Sequence, residues 1–119
     1  MRIASILENQ EIEKRIAITP EIAKKYLALG FEVVLSKNYG THLGIKDEEY
    51  NSIGAIISGD EKEIINNADI IVQLNLPADD KSSLIKDKQT LIGVLNPYNN
   101  EDKINNLIKR NINVFSLEL

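Results

Sequence analysis

The chain has 119 residues, 43% of them hydrophobic and 27% charged, and its formal net charge is −4 at pH 7. These fractions are typical of an ordinary globular chain, and the acidic balance argues against nucleic acid as a partner because no basic stripe could neutralise phosphates. The absence of cysteine excludes disulfides, thiolate nucleophiles and cysteine metal sites. No apolar run is long enough to span a membrane, so direct insertion into a bilayer is not expected.

Short apolar runs alternate with helical segments along the whole chain. Strands are predicted near residues 2–7, 31–35, 55–57, 69–73, 90–95 and 113–117. Helices are predicted between consecutive strands, with Thr19, Asp47, Asp60 and Asn100 as N-caps and Asp79 or Asp80 opening the fourth helix. Such alternation indicates βαβ units with right-handed crossovers, and hence an α/β fold with a doubly wound, mostly parallel sheet.

The first helix carries the clearest local signals. Thr19 can accept a hydrogen bond from an amide of the first turn, and Pro20 suits the first helical position because its missing N–H is harmless there. Glu21 places negative charge at the positive end of the helix dipole. Gly30 can adopt the left-handed conformation that ends a helix. We therefore expect a helix between residues 20 and 29, followed directly by the second strand.

Arg15 is the most suggestive charged side chain. It lies in the loop between the first strand and its helix, and open α/β sheets bind ligands at the carboxyl ends of their strands. A guanidinium can hold a carboxylate or a phosphate through two parallel hydrogen bonds. The alternative is a surface arginine that pairs with Glu8, Glu11 or Glu13.

Metal and dinucleotide sites find little support in the residues themselves. His42 is the only histidine, and without a second histidine or a cysteine it is predicted to be an exposed loop residue, with no metal bound. No Gly-x-Gly-x-x-Gly fingerprint occurs, so this segment alone is not expected to hold a dinucleotide in the usual Rossmann manner.

Several segments resemble the alanine dehydrogenase and pyridine nucleotide transhydrogenase family. The start of that family is matched by Glu8, Arg15, the Ala-x-Thr-Pro run at residues 17–20 and the Leu-Gly-Phe-Glu-Val-Val run at residues 29–34. The later segments are Tyr39-Gly40, Asp47-x-x-Tyr50, Gly54-Ala55, Ala68-Asp69-Ile70-Ile71 and Asn75-Leu76-Pro77. The resemblance covers residues 2–119 and keeps the order and spacing of the family.

The resemblance implies a Rossmann-like or flavodoxin-like domain that is incomplete in this chain. Residues 1–119 would be the N-terminal segment of the first domain of the transhydrogenase alpha subunit. A nucleotide-contacting loop and a separate NAD-binding Rossmann domain would follow elsewhere, so the chain is expected to be a fragment or a split portion of a longer protein, inactive alone.

Two positions distinguish the branches of the family. The alanine dehydrogenases carry a lysine two residues before the proline that follows the fourth strand, and a histidine after the fifth strand. Those groups handle the substrate and proton transfer, whereas the corresponding residues here are Asn75 and Asn96. A carboxamide does not titrate near neutral pH and cannot serve as a general acid. The pattern therefore favours the transhydrogenase alpha subunit.

For the complete protein, the resemblance implies hydride transfer between NAD(H) and NADP(H) coupled to proton translocation. NAD would bind the complete subunit and NADP a partner subunit. The partners would be the rest of the alpha subunit and the membrane and NADP-binding subunits, with a homodimer when complete. The location would be cytoplasmic and peripheral to the inner membrane. No catalytic residue is expected in this segment, and the candidate cofactor-cleft residues are Arg15, Asn75 and Asn96.

Two alternatives remain open. One is an oxidoreductase like alanine dehydrogenase or saccharopine dehydrogenase, in which Arg15 grips the substrate carboxylate. The other is a non-catalytic binding module.

Overall fold

The computed structural model describes residues 1–96 and 99–117. Its strands are β1 (Arg2–Ser5), β2 (Glu32–Ser36), β3 (Ile56–Ser58), β4 (Ile70–Gln73), β5 (Thr90–Gly93) and β6 (Asn113–Ser116). Its helices are α1 (Pro20–Ala28), α2 (Asp47–Ser52), α3 (Glu61–Asn67), α4 (Asp79–Ser82) and α5 (Glu101–Lys109), with a 3₁₀ turn at Thr41–Leu43. Each strand overlaps one of the six predicted ranges.

The six strands form one sheet in the order β3-β2-β1-β4-β5-β6. Every neighbouring pair is parallel, and Ile3 of β1 stands opposite Val33 on one side and Ile70 on the other. The predicted doubly wound parallel sheet is confirmed, and of the two arrangements considered the strand order is that of the Rossmann fold. The strand order reverses between β1 and β4, so a crevice is expected at their carboxyl ends.

Apolar side chains cover both faces of the sheet, as a parallel sheet requires. On one face, strand residues meet α1, α2 and the following loops; the buried residues there are Ile3, Ile18, Ala23, Val33, Leu35, Tyr39, Tyr50 and Ala55. On the other face, strand residues meet α3, α5 and the segment after α4; the buried residues there are Ala4, Ile6, Val34, Ile64, Ile65, Ala68, Ile71, Ile85, Leu91, Leu95, Leu107 and Ile112.

The start of α1 follows the sequence signals closely. Thr19 is the N-cap, and its Oγ1 accepts a hydrogen bond from the backbone N–H of Ile22 at 3.3 Å. Pro20 is the first helical residue. Gly30 follows the helix with φ +95°, a conformation that costs a residue with a side chain more than glycine. This capped helix closes the loop in which Arg15 lies.

Two of the other predicted caps are wrong. The N-cap of α2 is Lys46, because the carboxylate of Asp47 is used elsewhere, accepting from the backbone N–H of Asn38 at 3.1 Å. Asn100 occupies the cap position of α5 without a side-chain cap. Its Nδ2 instead donates to the carbonyl oxygen of Leu95 at 2.9 Å, tying the helix to the end of the preceding strand segment. The predicted cap Asp60 is confirmed, since its Oδ1 accepts from the N–H of Glu63 at 3.2 Å.

Strands β4 and β5 approach each other so closely that only glycine fits at one position. A Cβ built on Gly93 would lie 2.0 Å from the carbonyl oxygen of Gln73, far inside van der Waals contact. This close approach fixes the backbone of Gln73 at the edge of the crevice.

Within residues 1–96 and 99–117, no helix is both long and apolar enough to cross a membrane.

Candidate functional site

The candidate site is a cleft at the carboxyl ends of β1 and β4, where the strand order reverses. Its volume is about 470 Å³. Its apolar lining consists of Ile6, Leu7, Ile12, Leu76, Pro77 and Ala78. Its polar lining consists of Glu8, Asn9, Gln73, Asn75, Asp80, Lys81 and Lys103. An apolar cleft with a few convergent polar groups at a topological switch point is the usual form of a ligand site in this class of fold.

The side chain of Gln73 bridges the two strands where they separate. Its Oε1 accepts from the backbone N–H of Ile6 at 2.7 Å, and its Nε2 donates to the carbonyl oxygen of Ile6 at 3.0 Å. The amide thus acts as one additional peptide unit beyond the β1–β4 ladder. Because Gln73 is only 2% exposed, this bridge sets the width of the cleft at its base.

Tyr39 anchors the segment that leads into α1. Its buried hydroxyl oxygen accepts from the backbone N–H groups of Ala17 and Ile18, each at 3.2 Å, and lies 2.8 Å from Oγ of Ser5. With two donors already directed at this oxygen, its own hydrogen is available for Ser5. Burial raises the pKa of Tyr39 to about 12, so the phenol stays protonated near neutral pH.

Ser5 completes the assignment of hydrogens. Its Oγ lies 2.6 Å from the carbonyl oxygen of Val72 and 3.0 Å from Oε1 of Gln73. Carbonyl oxygens only accept, so the serine hydroxyl donates to them and Tyr39 donates to the serine. Ser5, Tyr39 and Gln73, together with Glu8, form what we call the inner network.

Glu8 is the charged end of the inner network. Its Oε2 accepts from Nε2 of Gln73 at 2.8 Å and from the backbone N–H of Leu74 at 2.9 Å, and its Oε1 accepts from the backbone N–H of Asn75 at 3.3 Å. Burial raises the pKa of Glu8 above its ordinary value, while the backbone hydrogen bonds oppose that effect. The carboxylate therefore ties the β1–α1 loop to the β4–α4 loop across the base of the cleft.

The inner network leaves no polar group waiting for a ligand. Among the described residues, no buried side-chain nitrogen or oxygen lacks a hydrogen-bond partner. The network is therefore a closed scaffold, and any ligand chemistry must use atoms nearer the surface.

A second group, which we call the Glu13 cluster, consists of Glu13, Arg15 and Asn75. Nε of Arg15 donates to Oε2 of Glu13 at 2.9 Å, and Nη2 donates to Oε1 at 2.9 Å. Nδ2 of Asn75 also donates to Oε1, at 3.2 Å. The hydrogen bonds from Arg15 lower the pKa of Glu13 to about 2. The glutamate side chain is 12% exposed and that of Arg15 66% exposed, so the carboxylate is enclosed by its donors while the arginine remains in solvent.

His42 links two loops near this cluster. Its Nε2 lies 2.7 Å from the carbonyl oxygen of Lys14, and its Nδ1 lies 3.0 Å from Nε2 of Gln10. A carbonyl only accepts, so the hydrogen bonds assign the ring hydrogen to Nε2 and leave Nδ1 as the acceptor. His42 is exposed, as predicted. Among the residues that the structure describes, no three histidine, aspartate or glutamate side chains are grouped to hold a metal ion.

The structure brings two of the three predicted cleft residues together. Asn75 lines the cleft, and Arg15 reaches it through Glu13, which is one of the three partners considered for a surface pair. Asn96 is exposed, with φ +47°, and its carbonyl oxygen accepts from Nδ2 of Asn100 at 3.2 Å. It does not line the cleft. A role of these residues in cofactor binding stays a prediction.

The inner network as a unit is not predicted by the sequence analysis. Glu8 enters there only through the family resemblance and as a possible partner of Arg15, and no role is predicted for Ser5 or Gln73. A signal is nevertheless present, because Ser5 and Gln73 are the polar last residues of two otherwise apolar strands that the topology makes neighbours.

Comparison with known sequences identifies the family. Residues 6–119 match the family model described as "Alanine dehydrogenase/PNT, N-terminal domain". The chain is 38% identical to the first of the separately named parts of NAD(P) transhydrogenase subunit alpha from Rickettsia prowazekii, over 99% of its own length and 32% of that protein. It is 33% identical to an alanine dehydrogenase of Methanococcus maripaludis over 74% of its own length and 24% of that protein.

A solved structure agrees with the sequence comparison. The transhydrogenase from Sinorhizobium meliloti is similar with a TM-score of 0.87 and 30% identity, over 96% of this chain and 34% of that one. The chain thus spans about a third of the length of the transhydrogenases it matches. With the Rossmann strand order, the cleft at the β1–β4 switch point and a family match over residues 6–119, this chain belongs to the alanine dehydrogenase/PNT family and corresponds to its N-terminal domain.

Proposed function

We propose that this chain is the N-terminal segment of the alpha subunit of a proton-translocating NAD(P) transhydrogenase. The complete enzyme would transfer hydride between NAD(H) and NADP(H) and couple that transfer to proton movement. The chain would form one wall of the cleft over the NAD nicotinamide. The transhydrogenase names of relatives similar over nearly its whole length support this proposal.

The carboxamide of Asn75 carries the proposal. It lies in the cleft, at the position where the alanine dehydrogenases that the chain resembles have a lysine. A carboxamide can orient a ligand but cannot exchange a proton with it near neutral pH. The neighbouring carboxylate of Glu8 is held by three donors, which favours a structural role. Such a cleft suits direct hydride transfer, which needs positioning and not acid–base chemistry.

The lining fits a nicotinamide ring better than a pyrophosphate. Ile6, Ile12 and Leu76 supply apolar surface, and Asn75 offers a carboxamide. The β1–α1 loop contains no glycine that would let its backbone approach a phosphate, and Lys81 at the cleft is already ion-paired with Glu61. In this proposal NAD supplies the hydride when bound, this chain orients the ring and excludes water, and the phosphates bind to other segments of the complete subunit.

The partners follow from the same proposal. They are the remainder of the alpha subunit and the membrane and NADP-binding subunits, with NADP on a partner subunit and two alpha subunits forming a homodimer. The assembly would be peripheral to the inner membrane on its cytoplasmic side. The names of two relatives designate them as a first, numbered piece of subunit alpha, which favours a protein made in several pieces.

The test compares two hydride donors on one preparation of the complete protein with its partner subunits. We expect NADPH to reduce an NAD analogue and L-alanine to give no NADH, because Asn75 and Asn96 replace the groups that would handle an amino-acid substrate. Alanine-dependent NADH formation, without transfer from NADPH, would instead support the alanine dehydrogenase alternative, which the 33% identical relative keeps in view.

A further inference from the structure

We propose that Glu13 determines specificity: its carboxylate occupies the anion clamp made by Arg15 and Asn75 and thereby keeps small monocarboxylates, such as 2-oxo acids and amino acids, out of this corner of the cleft. This inference rests on the proposed function and states which ligands the same site rejects. It concerns ligand binding and can be tested without hydride transfer.

The geometry is that of a bound carboxylate whose ligand belongs to the chain itself. Four donors converge on Glu13: Nε, Nη2 and the backbone N–H of Arg15, and Nδ2 of Asn75. The guanidinium pairs with both carboxylate oxygens, which is the arrangement that arginine uses to recognise carboxylate ligands. A free monocarboxylate in this corner would need the same donors.

Competition strongly favours the internal carboxylate. Glu13 is only two residues from Arg15, so its local concentration at the guanidinium far exceeds that of a dilute metabolite. An incoming carboxylate would also meet the negative charges of Glu13 and the nearby Glu8, and like charges at short range repel. A neutral carboxamide meets neither obstacle.

The involvement of Asn75 distinguishes this cluster from an ordinary surface ion pair. An exposed pair between residues two apart needs no third partner and contributes little to stability. Here the carboxylate also accepts a hydrogen bond from the loop after β4, which lines the cleft. The clamp is therefore closed from both sides of the cleft, and Glu13 is held where a ligand could otherwise bind.

The experiment measures pyruvate and pyruvamide binding to the complete protein by calorimetric titration in a buffer free of carboxylates. Glu13→Gln is the test variant, because glutamine keeps an oxygen for Asn75 but removes the charge that neutralises Arg15. Glu11→Gln, in the same loop, is the matched control. We expect Glu13→Gln to bind pyruvate roughly tenfold or more tightly than the wild type and Glu11→Gln, since charge-assisted hydrogen bonds to arginine are strong. Pyruvamide binding should not change, and adding Arg15→Ala should abolish the gain.

Thermal unfolding of each variant establishes that it is folded, and Glu13→Asn serves as a second release variant if Glu13→Gln does not fold. Folded release variants that bind pyruvate no better than the wild type would overturn the inference and leave the proposed function intact. Tight pyruvate binding by the wild type would also overturn it. If the wild type in addition forms NADH from alanine, the proposed function fails as well.

Discussion

Glu8 and Glu13 lie five residues apart in one loop, yet their surroundings differ in almost every respect. Glu8 is 9% exposed and accepts hydrogen bonds from two backbone N–H groups and a neutral amide. Glu13 is paired with the charged guanidinium of Arg15, most of which is in solvent. The first carboxylate belongs to a closed scaffold and the second to a charged clamp at the surface. The loop thus separates the task of holding the cleft open from the task of choosing its ligand.

The difference appears in the direction of the two pKa shifts. Burial raises the pKa of Glu8, because desolvation disfavours the charged form. Hydrogen bonds from a cation lower the pKa of Glu13 to about 2. Identical side chains in one loop are therefore expected to respond to pH in opposite directions.

The largest effect is expected where the inner network is broken. Gln73→Leu leaves the N–H and carbonyl of Ile6 and one oxygen of Glu8 without partners in a buried site. We expect the free energy of unfolding to fall by about 3 kcal/mol or more, since each buried polar group left unsatisfied costs about 1–3 kcal/mol. Denaturant titration measures it. The control is Gln10→Leu, which removes one exposed contact with His42 and should cost less than about 1 kcal/mol; equal losses in both variants would contradict the distinction.

A pH titration sharpens the comparison. The stability contribution of Glu8 is greatest below its ordinary pKa of 4.5 and is lost as the pH rises through its higher folded value. That of Glu13 is present above 4.5 and is lost as the pH falls through about 2. Carbon-13 NMR of the glutamate carboxyl groups should therefore show Glu8 titrating above 4.5 and Glu13 far below it.

The two titrations should also be coupled. The charge of Glu13 contributes to the raised pKa of Glu8, so Glu13→Gln should move the Glu8 titration to lower pH. Two carboxyl groups that both titrate near 4.5 would show that the inner and outer environments do not differ as described.

The smallest effect on stability is expected at the surface of the Glu13 cluster. Arg15→Ala removes an exposed ion pair, so the free energy of unfolding should change by less than about 1 kcal/mol. Arg2→Ala, which breaks the exposed pair with Glu32, is a matched comparison measured by the same denaturant titration. A loss at Arg15 as large as that of Gln73→Leu would mean that the cluster belongs to the scaffold.

Local sequence signals are enough to predict most of the fold. The β-strands are short apolar runs, and Thr19, Pro20 and Gly30 mark the helix ends through conformational and hydrogen-bonding preferences that act within a few residues. The failures are Asp47 and Asn100, whose side chains bond to Asn38 and Leu95 instead of capping their own helices. Those contacts depend on how the loops meet in space, which a local rule does not contain.

The site is less predictable because its components come from distant segments. Gln73 meets Ile6 and Glu8 across more than sixty residues, and only the order β2-β1-β4 in the sheet brings them together. The sequence predicts Arg15 as a binding group or as a surface partner of a nearby glutamate, and the structure pairs it with Glu13. Spacing alone does not show that Asn75 shares the same carboxylate.

The central claim is that this chain helps to position a nicotinamide for direct hydride transfer and does not contribute to amino-acid oxidation. The most direct measurement supplies the complete protein and its partner subunits with NAD, unlabelled L-alanine and NADPH deuterated at the transferred position. Mass spectrometry then follows the NADH product. The account predicts that the NADH formed carries deuterium, because its hydride comes from NADPH. Unlabelled NADH that forms only when alanine is present would contradict it.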